Sequence, residues 1–569
     1  MEELPITHLI NDDWSHFFKI ISIILIFLAV ATYIYDRFIQ RKNQVLINYP
    51  LIGRMRYLFY LLREPMRQYF GDETYYDSFE KLDWINRASN KKSLMYSFSL
   101  SKPYSHQTTL FKHSNRVLNE DEVKPNFSVT FGERQKYPFT TKSIIGRGAM
   151  SDGAISPEGT QAFAKGAYLG KFPINTGEGS LTSNFLKTHE CSPNREENRF
   201  LTIKEGGILS KSIYKILNRC INRYVAKNVY RRLIIHSKDR ETYIFDPKNI
   251  WFYRIDWDKP LEYFPKEPLK DVPDIIFQIG SGLYGVKDKD GNFDELRYQK
   301  VMRFCKMTEI KIAQGAKQTG GKLLANKVTE SVAYYRGVEP YKPLFSPNRF
   351  PYASSISELF DFVGRLQKLS QKPVGIKIVI SSREGFREYA KELQKRVAED
   401  RSYPDFISID GGDGGSATAP QEMMARVGLP IKEALDIAIE ELNSLKIRDK
   451  IKIIASERVL TPDDVIELFA YGADFINIAR GFMISAGCIR ARHCSGENGY
   501  QCPVGLATMD KAKRSKFLVN QKAKTIANYH EALLKGVTSL LAIMGKRDIK
   551  EVSKDDLIIR DKKQRELSN

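Results

Sequence analysis

PVGIKIVISSREGFREYAKELQKRVAEDRSYPDFISIDGG, residues 373–412, contains a short β-branched run, a polar turn, a helix-period segment and a second β-branched run. Apolar positions at three- and four-residue spacing through REGFREYAKELQKRVAED predict an amphipathic helix between two strands. A helical crossover of that length returns the chain to the same edge of a sheet, so the flanking strands lie parallel. The same alternation continues outward in both directions. Upstream come SIIGRGAM (143–150), FPINTG (172–177), DIIFQIG (274–280) and EIKIAQG (309–315); downstream come KIKIIAS (450–456) and DFINIARG (474–481). With PVGIKIVI and DFISIDGG these make eight strands. The repeat predicts an α/β fold, a (β/α)8 TIM-type barrel over 143–510, with catalytic groups at the C-terminal strand ends. An open doubly wound sheet is the competing architecture, and the strand count favours the barrel.

The chain has 569 residues, 42% hydrophobic and 27% charged, which excludes a disordered chain or a small disulfide-stapled fold. Its formal charge of +20 favours acidic partners or an anionic membrane surface. FFKIISIILIFLAVATYIY, 17–35, is long and apolar enough for a transmembrane helix. Asp12 and Asp13 precede it and Arg37, Arg41 and Lys42 follow, which predicts a single pass with the large domain in the cytoplasm. A cleaved signal peptide is the rival, but the start Met-Glu-Glu lacks a positive n-region. Residues 36–142 form an entry region in which LIGRMRYLFYLLREPMRQYF (51–70) reads as an amphipathic helix broken near Pro65. Residues 511–569 read as a helical tail. Between the second and third strands, 181–272 is too long for a barrel loop and forms an inserted basic subdomain. In it KSIYKILNRCINRYVAKNVYRRLIIH (211–236) reads as helical, and RETYIFDPKNIWFYRIDW (240–257) as a hairpin turning at Asp246-Pro247-Lys248. It either covers the barrel or offers a basic docking surface to a redox partner or phospholipid headgroups. The sequence carries no nucleic-acid module, P-loop or nicotinamide-binding fingerprint.

A barrel converges its strand ends on one pocket. Those ends carry Ser151 and Asp152; Asn175, Thr176, Gly177 and Glu178; Gln278; Gln314 and Lys317; Lys377; Asp410 and Asp413; Ser456; and Arg480 with Gly481. Glycines such as Gly414 and Gly415 let backbone N–H groups approach a cofactor or phosphate, or simply turn tight corners. Ala479-Arg480-Gly481 lies where barrels build a phosphate site. Lys377 sits inside an apolar strand and requires a negative partner, either a reduced flavin or a structural carboxylate. Cys488, Cys494 and Cys502 crowd one segment, 488–502, and suit an iron–sulfur cluster, a zinc site completed by His493, or free thiols.

At these residues the chain resembles the FMN-binding glutamate synthase family, in its synthase barrel and its membrane-anchored form. The resemblance rests on GAMSDGAISPEGTQAF, NTGEGS, IFQIGSGLYGV, EIKIAQGAK with NKVTESVAYYRGV, PVGIKIVI, DGGDGGSATAP, and INIARGFMISAGCIRARHC with CPVGLATMD. It implies FMN held by Ser151, Gln278, Lys377, Gly414, Gly415, Ser456, Arg480 and Gly481, and a 3Fe-4S cluster on Cys488, Cys494 and Cys502. It implies catalytic roles for Lys317, Lys377 and Glu178 in reducing 2-iminoglutarate, formed from 2-oxoglutarate and ammonia, to L-glutamate. A ferredoxin-like or other protein would donate electrons. Cys191 is the first cysteine, so no N-terminal cysteine amidotransferase is expected and ammonia would come from a separate subunit. The sequence also departs from the family. The second cysteine gap is seven residues, longer than usual, a family histidine before Asp413 is Gly412, and the usual Gly-Gly after the seventh strand is Ser456-Glu457. The alternatives are a related FMN and iron–sulfur oxidoreductase acting on another amino or imino acid, and a cofactor-free membrane-anchored scaffold.

Overall fold

The computed structural model describes residues 6–62, 78–95, 109–315, 320–420, 422–424 and 426–559. Eight parallel strands close a barrel in sequence order: β1 (Ile145–Arg147), β2 (Ile174–Asn175), β3 (Ile275–Ile279), β4 (Met307–Lys311), β5 (Val374–Ile378), β6 (Phe406–Asp410), β7 (Lys452–Ser456) and β8 (Phe475–Ile478). All eight runs read as strands form the barrel, and closure leaves it without an exposed edge. The chain begins with helix α1 (Ile6–Ile34), and the outer ring includes α2 (Pro157–Gly170) after β1. The connection from β2 to β3 contains α3 (Ile208–Cys220) and α4 (Arg223–Ile234). Then follow α5 (Ile356–Ser370), α6 (Arg383–Ala398), α7 (Ile431–Ser444) and α8 (Pro462–Ala470), with the short α9 (Arg480–Ser485) after β8. Serines start three of these helices: the hydroxyls of Ser156, Ser355 and Ser382 accept backbone N–H groups of α2, α5 and α6.

The N-terminal end of the barrel is plugged by a hairpin of Val129–Phe131 and Phe139–Thr141. Phe131, fully buried, lies 6.2 Å from Phe139 in a stacked pair and 5.6 and 5.7 Å from Phe406 and Phe475 in edge contacts. Its turn is tied to the start of β6 by an Arg134–Asp405 ion pair at 3.0 Å. A long helix, α10 (Val519–Met544), then packs along α2, where Gly166 leaves room for Ile526. From α10 the buried His530 meets the Ser143 hydroxyl, just before β1, at 2.7 Å. Farther out, strand Thr109–Phe111 pairs antiparallel with Leu557–Ile559.

Between β2 and β3 lies a three-stranded antiparallel sheet of Leu201–Lys204, Trp251–Ile255 and Ile244–Asp246, with α3 and α4 against it. It encloses a separate small core of Tyr214, Ala226, Tyr230, Phe245 and Phe252. The segment read as helical forms two helices parted at Ile221-Asn222, where the Asn222 side chain caps α4. Near the N-terminus, Phe17–Ile39 is long and apolar enough to cross a membrane, and its apolar stretch is not buried against the rest of the protein. Close to its end Asp36 is buried, pairs with Arg54 at 2.6 Å and accepts the Leu51 N–H, fixing the turn that leaves the helix. A short helix spans Met55–Leu61; the expected break at Pro65 lies outside the described residues.

Phe131→Ala empties the centre of the plug and is expected to cost ~3–5 kcal/mol in chemical denaturation, with Phe131→Leu costing well under half of that.

Candidate functional site

Alternation along each strand assigns the barrel interior. Phe406 and Phe475 fill the bottom, and the residues two positions on, Ser408 and Asn477, form a polar middle layer with Asn175, Gln278 and Glu309. Glu309 is buried there with neutral donors around it. Its Oε1 accepts Asn175 Nδ2 at 2.8 Å and Gln278 Nε2 at 2.6 Å, and its Oε2 accepts the Ser408 hydroxyl. Gln278 thus uses one amide N–H on Glu309 and offers a ligand its carbonyl oxygen and the remaining N–H.

Above this layer, Lys311 and Lys377 stand side by side at the ends of β4 and β5. Lys311 Nζ pairs with Glu178 Oε1 at 3.1 Å, and Lys377 Nζ lies 3.5 Å from Asp410 Oδ2. Asp410 also accepts the Gly315 N–H at 2.8 Å and the Ser456 hydroxyl. The carboxylate that Lys377 requires is therefore on the next strand, and Ser456 is engaged with the same carboxylate. The loops after β4 and β6 touch. Gln314 Nε2 donates to the Gly415 carbonyl at 3.1 Å, and a Cβ on Gly315 would lie 1.7 Å from the Gly411 oxygen. Lys317 lies outside the described residues.

Arg480, at the start of α9, reaches Gly415: its Nη2 is 3.1 Å from where a Cβ would stand. Gly481 has a packing reason to be glycine, since a Cβ there would fall 2.1 Å from the Tyr529 hydroxyl. After β7, Glu457 accepts the Ile431 N–H at 2.9 Å and fills the space beside Gly411. Burial, then repulsion from Asp413, pushes its carboxyl up to about 7. Arg458 takes the left-handed backbone that glycine favours, φ 51°, and pairs with Asp413 at 3.0 Å. A hydroxyl and a carboxylate, Ser456 and Glu457, thus occupy the usual Gly-Gly corner, and Arg458 follows it in left-handed backbone.

On the β1 side, the buried Arg336 donates to the Asp152 carbonyl at 3.0 Å and lies 3.4 Å from the Ser151 hydroxyl. Asp152 accepts Thr182 and Asn184 side chains, both at 2.6 Å, and burial pushes its carboxyl up. Gly177, at φ 63°, lets the β2 loop close on the Ser151 backbone.

Cys488, Cys494 and Cys502 are free thiols on one segment, near enough to act on one another electrostatically. Burial holds Cys488 up at about 11 and raises Cys494, where the neighbouring Cys502 adds to the effect. Among the described residues no three His, Cys, Asp or Glu side chains converge closely enough to hold a metal ion. His493 stacks on Tyr500, their ring centres 4.7 Å apart. The long second gap is absorbed by a surface turn at Gly496 and a 3-10 turn over Glu497–Gly499. Beneath it the buried Lys327 ammonium donates to the carbonyls of Cys494 and Ala507.

The barrel, with cations and carboxylates paired across its C-terminal mouth, has the architecture of (β/α)8-barrel enzymes. The chain belongs to the glutamate synthase family: residues 78–547 match the conserved region in glutamate synthase. It is 30% identical to the glutamate synthase large subunit-like protein YerD of Bacillus subtilis (strain 168), over 95% of this chain and 94% of that one. The glutamate synthase [NADPH] large chain of Azospirillum brasilense is 29% identical over 52% of this chain but only 18% of its own length. The archaeal-type glutamate synthase [NADPH] of Thermotoga sp. (strain RQ2) is 30% identical over 49% of this chain and 52% of its own. The functional class is glutamate synthase-type oxidoreductase chemistry.

Glu457 supplies a pH test. Its folded value, about 7, lies above the ordinary 4.5, so the stability it contributes is full below pH 4.5 and lost as pH rises through 7. Glu457→Gln is expected to leave stability near pH 4.5 unchanged. At about pH 8 it should raise stability by ~1–3 kcal/mol, read from denaturation at the two pH values.

Proposed function

We propose that this chain is an FMN-dependent glutamate synthase that reduces 2-iminoglutarate to L-glutamate, acting on a CH–NH2 substrate class. The observation that carries the reading is the pair of ammonium groups, Lys311 and Lys377, above an amide layer ordered by Glu309, at the mouth of a glutamate synthase-family barrel. A flavin fits this mouth by one further feature: Asn477 Oδ1 on β8 is buried and has no hydrogen-bond partner. FMN would be held by Ser151, Gln278, Lys377, Gly414, Gly415, Ser456, Arg480 and Gly481, and when bound it supplies hydride transfer.

The protein's own work is charge and position. Lys377 provides positive charge for a reduced ring, and its hold on Asp410 fixes the ammonium at the strand end. Glu178, held by Lys311, and Lys317 orient the dicarboxylate. The chemistry balances simply. 2-Oxoglutarate and ammonia lose water to give the imine; a hydride to its carbon and a proton to its nitrogen give the amino acid. Arg480 and Arg458 offer charge to a phosphate, and Glu457 is the group that opposes it until protonated.

The donor chemistry of Cys488, Cys494 and Cys502 suits an iron–sulfur cluster, 3Fe-4S in type, with Lys327 and Arg480 offsetting its negative charge. Electrons would come from a ferredoxin-like or other donor protein, and ammonia from a separate amidotransferase. Helix α1 is a single-pass membrane anchor, with the barrel in the cytoplasm.

Anaerobically purified protein should carry about one FMN per chain. Given reduced viologen, 2-oxoglutarate and ammonium, it should form glutamate. Lys377→Met should lower turnover roughly 100-fold or more. Cys502→Ser should lose iron and keep FMN. Flavin-loaded wild-type protein that forms no glutamate but reduces another imino acid would replace this reading with the related-substrate one.

A further inference from the structure

The insertion between β2 and β3 plays no part in the chemistry proposed above, yet among the described residues it carries a cluster of strongly exposed apolar side chains. On α3 and the turn after it, Ile208, Leu209, Ile216 and Ile221 are 87%, 75%, 61% and 61% exposed. Around a 3.6-residue helix Ile208, Leu209 and Ile216 share one face, opposite Tyr214, which is buried in the small core. Alongside that apolar stripe run Lys211, Lys215 and Arg219 at four-residue spacing, and Arg223 follows at the exposed start of α4. From 208 to 236 the chain has seven Lys and Arg residues and no Asp or Glu. An apolar stripe edged by cations is the pattern of a helix lying in an anionic lipid interface.

A chain of contacts places this hairpin beside the end of the apolar N-terminal helix. Past that helix, Asn48 Nδ2 donates to the Pro503 carbonyl at 2.6 Å, and Lys513 lies over the Tyr49 ring. The same short helix, Lys511–Arg514, reaches the insertion: Lys511 and Arg514 both pair with Glu241, at 2.9 and 3.1 Å. Glu241 in turn faces Arg231 of α4 at 3.7 Å. The segment leaving α1 presents its own exposed apolar side chains, Ile52, Met55 and Phe59 among them.

We propose that the α3–α4 hairpin is a second membrane contact, which lays Ile208, Leu209, Ile216 and Ile221 into an anionic bilayer surface while Lys215 and Arg219 bind the headgroups. The proposal rests on the reading of α1 as a membrane anchor. With two attachments, one spanning and one lying flat, the barrel has a fixed tilt above the lipid, and the cysteine segment next to Asn48 faces the membrane side.

The test uses full-length protein in nanodiscs of phosphatidylcholine, with or without phosphatidylglycerol, made with ordinary or acyl-brominated lipid. Ile216→Trp reports the hairpin and Phe27→Trp reports the anchor, each after subtraction of wild-type emission. Both sites are exposed, so the substitutions leave the packing intact. Expected is about two-fold or greater quenching at both positions by brominated lipid. At position 216 the quenching should be stronger with phosphatidylglycerol and lost with Lys215→Glu plus Arg219→Glu. Quenching at position 27 alone would overturn the hairpin contact and keep the anchor; quenching at neither would overturn both. Position 216 emission that changes with protein concentration in detergent but not with brominated lipid would assign the face to a second copy of this chain and overturn the proposal.

Discussion

The barrel is organised around one buried carboxylate. Among the described residues no cation pairs with Glu309, yet side chains from β2, β3 and β6 all donate to it. A charge in that position is stable only while each of those bonds is made, so the strands that supply them are held in one mutual register. The mouth inherits its order from this. Gln278 can turn only the remainder of its amide outward, and Lys311, two residues above Glu309 on the same strand, emerges beside Lys377. The fixed geometry at the top of the barrel thus comes from a polar layer below it, closed underneath by the Phe131 plug.

Much of this is legible in the sequence, for a physical reason. A parallel strand covered by helices must be apolar on its outer face, and eight such runs punctuated by glycine and charge show the barrel directly. The interior is harder to read. EIKI alternates charged and apolar residues as a half-exposed strand does, so Glu309 and Lys311 pass for surface positions. The cost that singles out Lys377 applies equally to Lys311, and that signal was available. Arg336 stands in a stretch that carries the family resemblance, but its partner, the Asp152 carbonyl, lies 184 residues away and no local pattern announces it. Glu457 is visible as a departure from Gly-Gly; that Arg458 keeps the glycine backbone shape is visible only in three dimensions.

The cysteine segment shows a different balance. Arg490 and Arg492 both hold left-handed backbone, at φ 57° and 58°, a strain that persists only when neighbours enforce it. Lys327, buried under the loop and bound to its carbonyls, is one such enforcer. The thiols lie in an electropositive setting, even though burial favours the protonated form of Cys488 and Cys494.

The pairing of Thr109–Phe111 with Leu557–Ile559, together with the packing of α10 on α2 and the Ser143–His530 hydrogen bond, sets an order of events during synthesis. The first barrel strand and its helix emerge from the ribosome nearly 400 residues before the partners that cover them. Until α10 appears, α2 has its Ile526-facing side bare, and the early strand has an open edge. Contacts so distant along the chain close slowly and leave apolar surface uncovered meanwhile. Nascent chains halted before residue 519 should therefore depend on chaperone cover, and the completed protein should gain its resistance to protease only as its last helix docks.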